Sequence, residues 1–169
     1  KIISDPVQVT HLKDVLKSHV GDCLTIAEID GFIGKATFTH INDNEVLLTV
    51  VMLDKKPPAK LELSVVLALP RPKVLRRLIM DMTSLGVNKL IIVNSYRSQK
   101  SYWQSPLLKR IDEFVFEGLQ QAIDTVPLVV EFKKRFKPFV EDEFPALLLD
   151  KKGYKEQGNA VIAHPYASQ

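Results

Sequence analysis

Between residues 61 and 94 the hydrophobic pattern changes period twice, and no other stretch limits the fold as strongly. Leu61 to Leu69 begins by alternating around Glu62 and Ser64, then runs apolar from Val65, as expected for a strand buried on both faces. From Lys73 to Leu85 the apolar residues Leu75, Leu78, Ile79 and Met82 fall at i, i+3, i+4 and i+7, which predicts an amphipathic helix. Pro72 suits its first turn and Gly86 its C-terminal cap. Lys89 to Asn94 reads as a second buried strand. Farther on, Ser105 as N-cap and Pro106 at the first helical position open a helix to about Ile123, on a face of Leu108, Ile111, Val115, Leu119 and Ala122. Pro127 to Phe132 reads as a strand, Phe136 to Phe144 as a weakly patterned helix and Ala160 to Ala163 as a further strand. Strands alternating with helices imply an α/β domain with a mainly parallel sheet, which places ligands at the carboxyl ends of its strands. Asn94-Ser95-Tyr96-Arg97 and His164-Pro165 lie at such ends.

The first 60 residues follow another pattern. Leu24 to Ile29, Phe32 to Ile41 and Val46 to Leu53 are short, β-rich runs broken by Asp30-Gly31 and by Asn42-Asp43-Asn44. Asp-Gly between apolar runs is a hairpin signal, with Gly accepting the positive φ of the turn. His11 to Leu16 reads as a short helix with Thr10 as its N-cap. The sum is a small β-barrel carrying one helix, joined through Asp54-Lys55-Lys56-Pro57-Pro58 to the α/β part. The expected division is 1–60 and 61–169.

Composition narrows the function. At 169 residues, 46% hydrophobic and 25% charged, the chain has the make-up of a globular protein, and its apolar runs are far below the ~20 residues of a membrane span. The single cysteine, Cys23, excludes an intrachain disulfide, fits a reducing cytoplasm and reads as a buried structural thiol within an apolar strand. The four histidines, His11, His19, His40 and His164, are too scattered for a metal site. Glu141, Asp142 and Glu143 are consecutive, so they diverge around a helix and read as a solvated acidic turn. No GxGxxG, P-loop, GxSxG or HExxH is present.

The net charge of +3 is unevenly spread. Residues 1–66 hold 7 Lys/Arg against 9 Asp/Glu, whereas residues 67–169 hold 16 against 11. Within 71–110, Arg71, Lys73, Arg76, Arg77, Lys89, Arg97, Lys100, Lys109 and Arg110 face only Asp81. Such a block is the footprint of a phosphate-rich partner, or else a solvated helix face with scattered lysines. Tyr102 and Trp103, beside Arg97 and Lys100, suit either base stacking or anchoring of their loop in the core.

Three stretches carry a resemblance: 11-HLKDVLKSHVGD-22 with 30-DGFIGKATFTHI-41, then 71-RPKVLRRLIMDMTSLGVNKLIIVNSYRSQ-99, then 119-LQQAIDTVPLV-129. In order and spacing they resemble the RsmE family, ribosomal RNA methyltransferases of the knotted SPOUT class that act on uridine N3 in 16S RNA. The resemblance implies a PUA-like N-terminal β-barrel that helps hold RNA, followed by a SPOUT (trefoil-knot) α/β domain that binds S-adenosylmethionine, in a cytoplasmic homodimer. By position it makes Lys17, Arg71 and Arg97 RNA contacts, to which the basic block adds Arg76 and Lys100, and it makes His164 and Pro165 one lip of the cofactor pocket. It assigns no catalytic residue and no metal. The sequence departs from the family pattern at Arg76, Asp81, Ser84, Leu119 and Ile123. It reaches His164-Pro165 without the glycine-rich "G-P-E-G-G" motif that follows in the family, so 1–169 is expected to be an incomplete SPOUT domain lacking most of the cofactor site. A non-catalytic RNA-binding module with a basic α/β platform is the competing expectation.

Overall fold

The computed structural model describes residues 1–96, 98–148 and 160–163. Two sheets organise it. The first contains β1 (Ile2–Ile3), β2 (Cys23–Ala27), β3 (Ile33–Ile41) and β4 (Val46–Lys55) in the order β1-β4-β3-β2, antiparallel throughout. Its outermost strands, β1 and β2, pair only inward, so the sheet is open and the closed barrel expected of residues 1–60 is not formed by hydrogen bonding. The core of this part joins Val9 and Leu12 to Ala36, Phe38, Val46 and Leu48, all buried. Val9 lies on α1 (Pro6–Thr10), which continues as one π-helical turn, His11–Val15. The helix starts earlier than predicted. Asp5 is the N-cap, its side chain accepting from Gln8 N at 2.9 Å, and Thr10 sits in helical geometry without capping.

Two details of this sheet differ from expectation. In the hairpin between β2 and β3 the left-handed residue is Asp30, with φ 57°, rather than Gly31. Aspartate tolerates that region because its short side chain bonds locally. Cys23 is exposed: on β2 the exposure alternates, so Leu24 and Ile26 face the core while Cys23 and Thr25 face outward.

The second sheet is parallel, β5 (Leu61–Ala68), β6 (Val87–Val93) and β7 (Val129–Lys133), in the order β5-β6-β7. The middle strand is the buried one, with Leu90, Ile91 and Ile92 fully enclosed. β5, predicted to be buried on both faces, pairs among the described residues only with β6 and leaves Leu61, Leu63 and Val66 exposed. A continuous apolar run does not distinguish an edge strand from a central one. Ala160–Ala163 joins neither sheet and is exposed, so the strand predicted there is not formed.

Helices α2 (Pro72–Ser84) and α3 (Ile111–Ala122) pack on each other and on this sheet through Leu75, Ile79, Phe114, Val115 and Leu119. Gly86, with φ 77°, follows α2 and turns the chain into β6. Ser105 Oγ accepts from Leu107 N at 3.3 Å and starts a 3₁₀ turn, Pro106–Arg110, that leads into α3. A last helical stretch comprises α4 (Phe136–Pro138), a π turn at Phe139–Glu143 and α5 (Phe144–Leu147). Phe139 from this stretch closes over Ile91 and Val93 of β6.

The two sheets are tied at one corner. Asp30 N donates to Thr125 O at 2.8 Å and Thr125 Oγ1 donates to Gly31 O at 2.9 Å; beside them, immediately before β5, Lys60 Nζ meets Asp124 Oδ2 at 2.5 Å. Among the described residues no helix is long and apolar enough to cross a membrane.

Candidate nucleic-acid interface

The basic block of 71–110 separates into two populations in three dimensions. Arg76 Nη2 donates to Glu117 Oε2 on α3 at 2.8 Å, and its guanidinium lies 5.5 Å from the centre of the Phe114 ring. Arg110 reaches Glu113 Oε2 through Nε at 2.9 Å and Nη2 at 2.7 Å, 5.8 Å from the same ring. Arg77 lies 3.6 Å from Asp81, and Lys89 2.7 Å from Glu131 on β7. The Lys89 ammonium holds the Glu131 carboxyl below the usual carboxylate range, with Lys133 adding to the effect. These four cations are neutralised by acids, three of which lie beyond the block in sequence.

Arg71, Lys73, Lys100 and Lys109 carry no ion pair among the described residues. Arg71 and Lys73 stand at the start of α2, just past the carboxyl end of β5. They line a cleft of about 560 Å³ together with Pro72, Val74, Tyr102 and Leu107. Lys100 opens the 3₁₀ turn Lys100–Gln104 that carries Tyr102. Among the described residues no acid lines this cleft.

The loop after β6 is held from within. Trp103 Nε1 donates to Asn94 Oδ1 at 3.1 Å, and its ring meets Phe132 edge-on at 6.1 Å between centroids. Lys134 Nζ lies 5.9 Å from the same indole. Trp103 therefore anchors the loop, and Tyr102 is the aromatic side chain turned to the cleft. Ser98 Oγ donates to Leu69 O at 3.1 Å and lies 3.2 Å from Ser95 Oγ.

Those bonds bear on whether S-adenosylmethionine fits the strand ends. The polar side chains of Asn94, Ser95 and Ser98 are already engaged with protein partners, and no buried side-chain nitrogen or oxygen among the described residues lacks one. The described residues do not form a cradle for such a group. A second cavity, of about 440 Å³, lies along α3 and β7 under Ile29 and is walled mainly by Leu108, Ile111, Val115, Leu119 and Leu128. It follows the seam between the two parts and brings together no set of catalytic side chains.

The residues predicted from sequence are dispersed. Arg71 lines one cleft and Lys100 opens the 3₁₀ turn that supplies Tyr102 to it, whereas Arg76 is spent on the contact between α2 and α3. Lys17 is exposed beyond the π turn of the N-terminal part, with φ 50°. Arg97, His164 and Pro165 lie outside the described residues. Lys73 was not singled out as a contact, although its place two residues after Arg71, across Pro72, is the signal that pairs them at the helix start. The acidic turn is exposed as expected, with Glu141 lying 3.8 Å from Lys137 and Glu143 meeting Lys133 at 2.6 Å, which raises that lysine above its ordinary range. The described residues contain no cluster of metal-ligating side chains.

Comparison with known proteins bears on the family of the chain. The RNA methyltransferase domain family matches residues 57–164. The chain is 30% identical over 122 residues to ribosomal RNA small subunit methyltransferase E of Treponema pallidum, covering 70% of this chain and 46% of that protein. It is 25% identical over 171 residues to ribosomal RNA small subunit methyltransferase E 1 of Borreliella burgdorferi, covering 89% and 72%. The chain thus spans about half the length of the Treponema relative. Among solved structures, a probable rRNA methyltransferase of Porphyromonas gingivalis superimposes with TM-score 0.63 at 14% identity, over 82% of this chain and 58% of that one. Ribosomal RNA small subunit methyltransferase E of Neisseria gonorrhoeae, solved bound to S-adenosyl methionine, gives 0.60 at 16%, over 79% and 56%. These two likenesses show a shared fold. With more than half of its residues matched, from the linker before β5 through the whole parallel sheet, the chain belongs to the RNA methyltransferase domain family.

Proposed function

We propose that the protein takes part in S-adenosylmethionine-dependent methylation of uridine N3 in small-subunit ribosomal RNA. The observation that carries this reading is the family match over 57–164, which spans the whole parallel sheet. The names of the Treponema and Borreliella relatives support the substrate class, and the cofactor in the Neisseria structure supports the methyl donor. In this reading residues 61–169 are the N-terminal part of a SPOUT domain. Residues 1–60 are its PUA-like RNA-holding module, despite the open sheet. The molecule works as a cytoplasmic homodimer, and His164 and Pro165 border the cofactor.

The chain's own part in the reaction is to hold and orient RNA. Arg71, Lys73 and Lys100 offer cations without an acidic partner among the described residues, and Lys17 and Arg97 extend that reach. Holding the target fixed supplies much of the rate in a two-substrate transfer, and the uracil N3 must lose its proton. Arg76 takes a different role, keeping α2 and α3 in place through Glu117.

Calorimetric titration with S-adenosylmethionine, on this chain and on a version extended past Gln169 to the length of the relatives, tests the reading. Binding by the extended protein is the expected result. Its failure to bind supports the non-catalytic RNA-binding alternative.

A further inference from the structure

We infer that the cleft between the start of α2 and the 3₁₀ turn at Lys100–Gln104 is a subsite for one unstacked nucleotide of single-stranded RNA. The base lies against Tyr102, and the flanking phosphate is gripped by Arg71 and Lys73. The inference rests on the RNA-binding reading and gives it a place and a geometry.

Three observations carry it. The first is charge: Arg76, Arg77, Lys89 and Arg110 are each neutralised by an acid, whereas among the described residues the two cations lining this cleft have no acidic partner and no acid lines it. Positive charge is therefore concentrated where an anion can reach it. The second is the floor, built from Pro72, Val74, Leu107 and the half-buried Tyr102 ring. An apolar floor with a charged rim suits a flat, weakly polar base attached to a phosphate, and suits a free phosphate or a duplex backbone poorly. The third is stiffness and size. Trp103, next to Tyr102, is fixed by Asn94 and Phe132, so the stacking surface is set before binding, and about 560 Å³ lies within the ~300–1,000 Å³ usual for small-molecule sites.

The test uses fluorescence anisotropy of residues 1–169 with a short labelled single-stranded RNA across a salt series. Tyr102→Leu keeps the cleft apolar and is expected to weaken binding roughly tenfold to a hundredfold with an unchanged salt slope. Tyr102→Phe keeps the ring and is expected to bind as the parent chain does. Lys73→Gln is expected to reduce the salt slope by about one. Replacing the bases with abasic sites should weaken binding to the parent chain but not to Tyr102→Leu, and duplex RNA should bind less tightly than the single strand. Thermal unfolding of each variant reports its fold, and should Tyr102→Leu unfold, the Tyr102→Phe, Lys73→Gln and abasic comparisons decide the matter. Parent-like binding by both Tyr102→Leu and Lys73→Gln overturns the cleft while leaving the RNA reading standing. No RNA binding at any salt overturns both. Competition by S-adenosylmethionine that disappears in Tyr102→Leu assigns the cleft to the cofactor and also overturns the proposal.

Discussion

Ile123 ends α3 with φ 50° and ψ 52°, a left-handed conformation that a β-branched side chain adopts only under strain. Glycine or asparagine is the usual occupant of this place. The strain persists because the next residues are over-determined: Asp124 N bonds back to Leu119 O at 3.0 Å, and Asp124 Oδ1 accepts from Thr125 N at 2.6 Å and Val126 N at 3.2 Å. Since Ile123 is 53% exposed, little packing is lost on replacing it. Ile123→Asn is expected to raise stability by about 0.5–1 kcal/mol, read from the shift in denaturation midpoint. At this scale the sequence was legible where residue chemistry is local. Gly86 after α2 and Ser105-Pro106 before α3 are used as their types predict, and Asp5-Pro6 carries the same signature of a helix start for α1. It was illegible where the backbone departs from residue preference, as at Ile123 and Asp30, or where the side of a strand decides exposure, as at Cys23.

Helices α2 and α3 cross at small residues. A Cβ added to Gly118 would lie 2.7 Å from Thr83 Cβ and 2.8 Å from the Met80 carbonyl oxygen, and Ser84 Oγ donates to Gly118 O at 3.1 Å. Gly118→Ala is expected to destabilise by about 1–3 kcal/mol through this overpacking, measured by chemical denaturation. The departures at Ser84, Leu119 and Arg76 take on physical roles in this crossing: a hydrogen bond, a core side chain and an interhelical ion pair. Next to the tie between the two sheets, Asp124, 3% exposed, pairs with Lys60, 12% exposed, which immediately precedes β5. Burial pushes the Asp124 carboxyl up, but the Lys60 ammonium and the backbone N–H groups of Val126 and Thr125 outweigh it, so the group ends below its ordinary value of 3.8. A depressed carboxylate stabilises the fold fully above the unfolded value and loses that contribution as pH falls through the folded one. The stability gap between the parent chain and Asp124→Asn should therefore be constant near neutral pH and close only in acid below the ordinary carboxylate value. Denaturant midpoints measured across that range check it. This pair was not readable in advance, because Lys60 and Asp124 are 64 residues apart. The strand-helix-strand order from 61 to 94 was readable, since period and length alone set it.

For the whole molecule, net charge alone says little, and what matters is which cations stay uncompensated. The block from 71 to 110 looked uniform because Glu113, Glu117 and Glu131 lie outside it in sequence, and folding brings those acids onto Arg110, Arg76 and Lys89. Arg71→Ala is accordingly expected to weaken RNA binding and lower its salt slope by about one, whereas Arg76→Ala should lower thermal stability with a smaller change in slope. Anisotropy and thermal unfolding on the same two variants separate these roles. The candidate site was half legible: Arg71, Lys100 and Tyr102 stand out by type and position, and anchoring by Trp103 was one of two readings open in the sequence, while the contribution of Lys73 and the diversion of Arg76 into packing emerge only from the fold. Methyl transfer itself is tested most directly by incubating the protein, extended to the length of its relatives, with S-adenosylmethionine and unmodified small-subunit RNA, then mapping the product by mass spectrometry. One methyl group on N3 of a single uridine is the predicted result. RNA that is bound but carries no added methyl contradicts the account.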